Sequence, residues 1–310
     1  MSNGTFVSIT EGRHGETMRS LSERLEWGLI PAVPVPFRGT EIDAAAQRQY
    51  AAWMAARPVA GVAVWAHTGR GPHLSPEQRH LVLETWREAL PTSVIVAGVR
   101  DVTTAIEARR GRADAILIFP ERNDPVAHHL RLSRELPGIA FYLYEAAGGV
   151  SYDDAILHAI LELPGIIGIK VATLDSVMTV QRIAAVMRSH PGKLLITGED
   201  RFLGYSLMLG ARGALIGMGS ALPDMQAALL RAYAGGDWAA FMRLSDVCDR
   251  FSQVTFIPPM EGYVRRMLWA AAAEGALPAN ACDDPWGPTL PQVERHAVER
   301  MVGHVRSPAA

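Results

Sequence analysis

Short apolar runs alternate with amphipathic segments eight times between residue 28 and about residue 235, and this period constrains the fold more than any other feature. The runs begin near residues 28, 59, 93, 113, 138, 165, 193 and 213. Rich in Val, Ile and Ala and almost free of charge, they have the pattern of strands buried on both faces of a parallel sheet. The intervening segments carry helix starts. Asp43 precedes a helix to about Ala56. Further helices are expected from Ser75, from Asp101 or Thr103, from Asp124, from Ser151, after Asp175, over Asp200–Leu209 and from Pro223. In Ser75-Pro76-Glu77-Gln78 the serine caps, the proline occupies the first turn and the glutamine follows three residues on.

Eight strand–helix units over about 210 residues fit a closed α/β TIM barrel, (β/α)8, better than an open doubly wound sheet. A dinucleotide-binding sheet also wants G-x-G-x-x-G after its first strand, where this chain reads Pro34-Val35-Pro36-Phe37. The expected division is an N-terminal arm with a short helix (1–27), the barrel (28–235) and a C-terminal helical extension (236–310). Helices are expected in the extension near 237–254, 258–275 and 292–305.

Composition narrows the function. Of 310 residues 49% are hydrophobic and 20% charged, with a formal net charge of -2. This balance gives no electrostatic footprint for nucleic acid or for a membrane surface. Cys248 and Cys282 lie far apart without metal-ligand neighbours, so neither a disulfide framework nor a metal site is expected. No uncharged run approaches the roughly 18 residues of a membrane span, and the first sixteen residues lack the apolar core of a secretory signal. Cytoplasm is the expected location.

In a barrel of this kind the site lies at the carboxyl ends of the strands. Those ends bring together Pro36, His67 and Thr68, Arg100, Glu121 and Arg122, Tyr144 and Glu145, Lys170 and Thr173, Gly198 with Glu199 and Asp200, and Gly217. Lys170 stands out because it follows the apolar run Gly165-Ile166-Ile167-Gly168-Ile169. A lysine drawn from solvent loses its proton more easily and becomes a nucleophilic amine, whereas one that reaches back to water does neither. Tyr144, on the neighbouring strand, offers a phenol that can relay protons for making and hydrolysing an imine. The amides of Thr68-Gly69-Arg70-Gly71 suit a carboxylate or oxyanion. His128 and His129 are expected on the solvated outer ring. Trp53, Met54, Trp86, Trp238 and Met242, at helical spacing, are expected to pack.

The chain resembles the dihydrodipicolinate synthase / N-acetylneuraminate lyase family of class I (Schiff-base) aldolases from about Gly28 to Leu277. The resemblance rests on Gly28-Leu-Ile-Pro-Ala-Val-Pro-Val-Pro-Phe37, on His67-Thr-Gly-Arg-Gly-Pro-His-Leu-Ser-Pro-Glu-Gln-Arg79 and on Phe141-Tyr-Leu-Tyr144. It rests most specifically on Gly165-Ile-Ile-Gly-Ile-Lys170, Thr197-Gly-Glu-Asp200 and Leu209-Gly-Ala-Arg-Gly213. It implies a (β/α)8 barrel with a helical extension, assembled as a homo-oligomer, usually a tetramer. It implies that Lys170 forms a Schiff base with pyruvate or another 2-oxo acid and that Tyr144 relays protons. The implied substrate contacts are Thr68, Gly69, Gly198 and Ile216, and the implied partners are a 2-oxo acid and an aldehyde. Neither a metal nor a diffusible cofactor is implied, because the imine itself is the electron sink.

Departures from the family pattern limit what carries over. The first hydroxyl residue of the family's Gly-Thr/Ser-Thr/Asn-Gly-Glu motif falls on His67, whose imidazole could replace it as a proton shuttle. The tyrosine pair that follows the fourth strand in the synthases is replaced by Glu121-Arg122. The synthases' arginine beyond the catalytic tyrosine falls near Gly148-Gly149, and their asparagine after it is Glu145. These losses argue against dihydrodipicolinate synthase activity and leave the imine-forming core. Arg70, Arg122 and Arg201 could bind a second carboxylate or phosphate. Glu199 and Asp200 could bind the hydroxyls of a sugar acid, and Asp200 is equally placed as a helix cap. The leading expectation is a lyase acting by aldol cleavage or condensation. The alternatives are a hydro-lyase acting on a 2-oxo sugar acid, and a non-catalytic descendant that binds a metabolite.

Overall fold

A computed structural model describes residues 21–144, 147–174 and 176–307. Eight parallel strands, β1 (Leu29–Pro31), β2 (Gly61–Val64), β3 (Val94–Val99), β4 (Ala115–Ile118), β5 (Gly138–Leu143), β6 (Ile166–Ala172), β7 (Leu194–Thr197) and β8 (Ala214–Ile216), pair in chain order, with β1 also on β8. Each begins within two residues of its expected start. β1 and β2 close the circle through a parallel bridge between Ala32 and Ala63, with Val33 N–H donating to Ala63 O at 3.1 Å. The fold is a (β/α)8 barrel.

Two apolar clusters follow from closure. Ile30, Val96, Leu117, Phe141, Ile196 and Leu215 fill the interior, and Leu21 and Leu25 join them. Their strand neighbours Leu29, Ile95, Ile116, Tyr142, Leu195 and Ile216 face the helices instead. The period of two along each strand produces this division.

The helices are α1 (Ala44–Ala55), α2 (Pro76–Ala89), α3 (Val102–Arg110), α4 (Pro125–Leu132), α5 (Asp154–Glu162), α6 (Val177–Met187), α7 (Leu203–Met208) and α8 (Pro223–Ala234). The extension adds α9 (Trp238–Thr255), α10 (Tyr263–Ala273) and α11 (Gln292–Val305). Asp43 caps α1, Ser75 and Gln78 form a full capping box on α2, and Asp101 and Asp124 cap α3 and α4. Helix α5 starts later than expected, because Asp153 is its cap and the Ser151 hydroxyl pairs with Tyr142. Asp175, expected before α6, lies outside the described residues, and Ser176 supplies the cap. Of the expected N-terminal helix, a helical stretch over 21–25 falls within the described residues.

Other expectations fail for clear reasons. His128 and His129 are buried: His128 Nε2 meets Phe119 O at 3.2 Å and His129 Nδ1 meets Pro125 O at 2.7 Å. Burial pulls His129 down to about 4. Trp86 and Met54 pack as expected, but Trp238 and Met242 lie exposed on α9. Within the extension no helix starts at residue 258. Pro258-Pro259 holds the chain out of the α region, and a short 3₁₀ turn over Met260–Gly262 precedes α10. Arg266, fully buried on α10, gathers this loop by donating to Ile257 O at 2.7 Å and to Glu294 on α11 at 2.7 Å.

Replacing Arg266 with methionine strands the Glu294 carboxylate and the loop carbonyls. The expected loss is about 3–5 kcal/mol in urea unfolding. A loss below about 1 kcal/mol would show that Arg266 does not hold the extension together.

Candidate active site

A single extra residue aims Lys170. Along β6 the pairing with β5 runs Ile166 opposite Gly138, then Gly168 opposite Ile139, so Ile167 is a bulge. Ile166 and Ile169 both face the helices, three residues apart, so the alternation has been shifted by one. Without the bulge Lys170 would face the helical shell. With it, Gly168, Lys170 and Ala172 face the interior, and Lys170 stands opposite Phe141. Gly168 is required here, since a Cβ would lie 2.2 Å from Leu194 O. The strand runs two residues past Lys170, so the lysine is inside the barrel wall and not at its last position.

Lys170 is buried, with Nζ 4.3 Å from the centre of the Phe141 ring. It lines a small cavity at the carboxyl ends of the strands. Burial pushes its amine well below the usual lysine range, and the nearby carboxylates of Asp200 and Glu199 resist that shift. Gly198 also lines the cavity, and a Cβ there would lie 2.6 Å from Lys170 Cε. The lysine side chain therefore runs through space that only a glycine leaves open.

The two carboxylates near Lys170 already have backbone partners. Glu199 accepts from Thr173 N–H at 2.6 Å and Leu174 N–H at 2.9 Å, and burial raises it to about 7 against those bonds. Asp200 accepts from Met218 N–H at 2.7 Å, so it ties the β8 loop and is not the cap of α7, which begins at Leu203. Burial raises Asp200 as well.

Tyr144 follows β5 and lines the same cavity. Its hydroxyl turns outward and donates to Glu261 Oε1 at 2.8 Å. Glu261 belongs to the turn before α10. It meets His67 Nε2 at 3.0 and 3.1 Å and accepts from Arg70 Nη1 at 2.8 Å. Because a carboxylate only accepts, Nε2 of His67 carries the proton. Burial acts to raise Glu261, but bonds from His67, Arg70 and Tyr144 outweigh it and hold the carboxyl at about 2. Burial first, then the neighbouring Tyr263 and Glu261, push the Tyr144 phenol far up. Thr68, also in the cavity, pairs with the Tyr263 hydroxyl at 3.0 Å. Among the described residues the N–H groups of Thr68 and Gly69 have no acceptor.

The remaining expected site residues fall elsewhere. Arg70 is buried and fully engaged, with Nε and Nη2 on Asp284 at 3.0 and 2.6 Å as well as Glu261, so it is not free for a second carboxylate. Arg122 is exposed and outside the cavity, and Arg201 donates to Phe256 O at 3.0 Å. Ile216 packs under the helices with its carbonyl on Ala32 N–H, and Gly217 is the residue that lines the cavity. Glu145 lies outside the described residues. Glu261, Tyr263 and Phe256 were missed by sequence reasoning because the extension read as plain helices. The available signal was Pro258-Pro259, which breaks such a helix just before a charged residue. Among the described residues no three His, Cys, Asp or Glu side chains are placed to hold a metal ion, and no helix is long and apolar enough to cross a membrane.

Fold and site together define a (β/α)8 barrel with a buried lysine in its mouth. No family model matches the chain. A 4-hydroxy-tetrahydrodipicolinate synthase of Ruegeria pomeroyi is 28% identical over 289 residues, covering 87% of this chain and 98% of that protein. The dihydrodipicolinate synthase of Oceanobacillus iheyensis superposes with a TM-score of 0.79 at 21% identity, covering 93% and 99%. The N-acetylneuraminate lyase of Mycoplasma synoviae superposes with a TM-score of 0.75 at 20% identity, covering 91% and 98%. The chain is thus similar, at low identity, to 4-hydroxy-tetrahydrodipicolinate synthases, and it shares its fold with dihydrodipicolinate synthases and N-acetylneuraminate lyases.

Since burial lowers Lys170, its amine becomes neutral at a lower pH than an exposed lysine. Reductive trapping of a carbonyl compound on Lys170, followed by mass after digestion, should rise with pH to a midpoint below about 10.4. A midpoint at or above that value would show the amine to be solvated.

Proposed function

We propose that the protein is a lyase in which Lys170 forms a Schiff base with pyruvate or another 2-oxo acid, for aldol cleavage or condensation. The observation that carries this reading is a buried lysine, its charge disfavoured, inside a barrel mouth lined by the phenols of Tyr144 and Tyr263 and the hydroxyl of Thr68.

The amine of Lys170 adds to C2 of the 2-oxo acid, water leaves, and a protonated imine forms. Loss of a proton from C3 then gives an enamine. In condensation, C3 attacks an aldehyde and hydrolysis of the new imine releases product. In cleavage the same steps run in reverse. Protonated imine nitrogen withdraws the electron pair left at C3, so neither metal nor diffusible cofactor enters the proposed cycle. The free N–H groups of Thr68 and Gly69 are the proposed holders of the substrate carboxylate. Tyr144 is the proposed proton relay, and its raised acidity range suits a phenol that stays protonated between steps. The lyases and synthases similar to this chain support the class. The absence here of the synthases' second-substrate arginine argues for a different aldehyde.

Incubation with pyruvate and borohydride should leave a reduced adduct on Lys170, found by mass. If no 2-oxo acid of a panel labels Lys170 under conditions where a known aldolase is labelled, the enzyme reading fails. Tyr144→Phe should slow adduct formation by roughly 10²–10⁴, and an unchanged rate would remove Tyr144 from the mechanism. With the adduct established, aldehydes offered alongside pyruvate should give a new C–C bond. Dehydration of a 3-deoxy-2-oxo sugar acid, without any such bond, would make the protein a hydro-lyase instead.

A further inference from the structure

Anchoring to Arg70 uses one oxygen of the Glu261 carboxylate and does not account for the other. Arg70 holds the turn before α10 through two bonds to buried Asp284 and a third to the carbonyl of Glu261 itself, at 3.2 Å, and only its Nη1 uses the Glu261 carboxylate. The turn before α10 is therefore attached to the barrel without this carboxylate. The Glu261 side chain is 37% exposed and Arg70 is 4% exposed, so one Arg70 bond uses one side of the carboxylate and leaves Oε1 for other partners. Yet both of its oxygens are directed to the groups around the proposed reaction: Oε1 to Tyr144 and His67, Oε2 to His67 and Arg70. His67 Nε2 and the Tyr144 hydroxyl lie 3.5 Å apart, both resting on Oε1.

We propose that Glu261 is a positioning residue that locks the Tyr144 hydroxyl and the His67 ring into one proton-transferring unit beside Lys170. This rests on the imine chemistry proposed above. With Tyr144 alone, giving up a proton would leave a phenolate beside a carboxylate in a buried site, which is unfavourable. His67, hydrogen-bonded to Glu261 through Nε2, supplies the missing proton. As the carbinolamine breaks down, the C2–O bond cleaves and the departing hydroxyl takes the Tyr144 proton, leaving as water. The Lys170 nitrogen lone pair forms the C=N bond. His67 Nε2 then passes its proton to the phenolate while Nδ1 takes one up from solvent at the mouth. Glu261 stays ionised throughout, since its three donors hold it far too acidic to act as the base.

The test is a double-mutant cycle on pyruvate adduct formation at Lys170, using Glu261→Gln, Tyr144→Phe and the pair. Glutamine keeps the size of the side chain, and thermal unfolding of each variant reports whether the fold is kept. Glu261→Gln should lower the saturating rate roughly 10²-fold with the pyruvate concentration at half-maximal rate changed less than about threefold. In the Tyr144→Phe background the same substitution should add less than about threefold, since coupled residues are not additive. Glu261→Asp, which keeps the charge, should recover part of the rate. A wild-type rate in Glu261→Gln, or the full loss repeated on top of Tyr144→Phe, overturns the proposal while leaving the imine reading intact. A wild-type chain that traps no adduct overturns both.

Discussion

One extra residue in β6 decides what this barrel can do. Side chains on a strand alternate between faces, so a slip of one position moves every later residue to the other side. The bulge at Ile167 makes that slip before Lys170, and sends the lysine into the barrel while Ile169 and Val171 stay under the helices. Everything attributed to the lysine follows: burial, a lowered affinity for protons, contact with the Phe141 face, and access to a cavity. Two glycines make the arrangement possible by absence. Gly168 lets β7 approach the bulged strand, and Gly198 leaves a channel for the lysine stem. Neither position tolerates even a methyl group without moving backbone or the lysine itself.

The second half of the site does not come from the barrel. Arg70, held at φ 52° in the loop after β2, is the point where the extension is fastened to the mouth. Its guanidinium spans Asp284 and Glu261, which approach from different segments of the extension. Through that clamp the loop before α10 brings Glu261 over Tyr144, and Tyr263 over Thr68. Arg266 secures the same loop from behind. The extension is thus a wall of the cavity, and the acid–base groups that meet there come from strand ends on one side and from a turn almost two hundred residues later on the other.

This division explains what sequence could and could not tell. The strands were readable because each is buried on both sides and so is apolar without interruption, and a closed barrel repeats that signal eight times. Lys170 and Tyr144 drew attention as polar residues closing apolar runs, but only the bulge turns Lys170 inward. The bulge was not, since an isoleucine more or less leaves the run apolar; Gly168 in mid-strand was the one hint. Glu261 was not readable either. Its meaning lies in contacts with residues 67, 70 and 144, and a turn after two prolines does not announce its partners. Asp200 misled because a carboxylate before a helix has two possible uses, and here the amide of Met218 took it.

The site's electrostatics are graded from the inside outward. At the inner end burial dominates: it raises Glu199 to about 7, raises Asp200, and lowers Lys170. In each of these groups burial disfavours the charged form. At the outer end hydrogen bonds dominate: burial acts to raise Glu261, and three donors outweigh it and hold the carboxyl at about 2. A fixed anion at the mouth and titratable groups at the base give protons a direction to move. Burial alone would leave Lys170 neutral but isolated. A carboxylate alone would hold Tyr144 in place with nothing to act on. Tyr144 stands between the two, lining the cavity of Lys170 and donating to Glu261, and the clamp at Arg70 holds the carboxylate there.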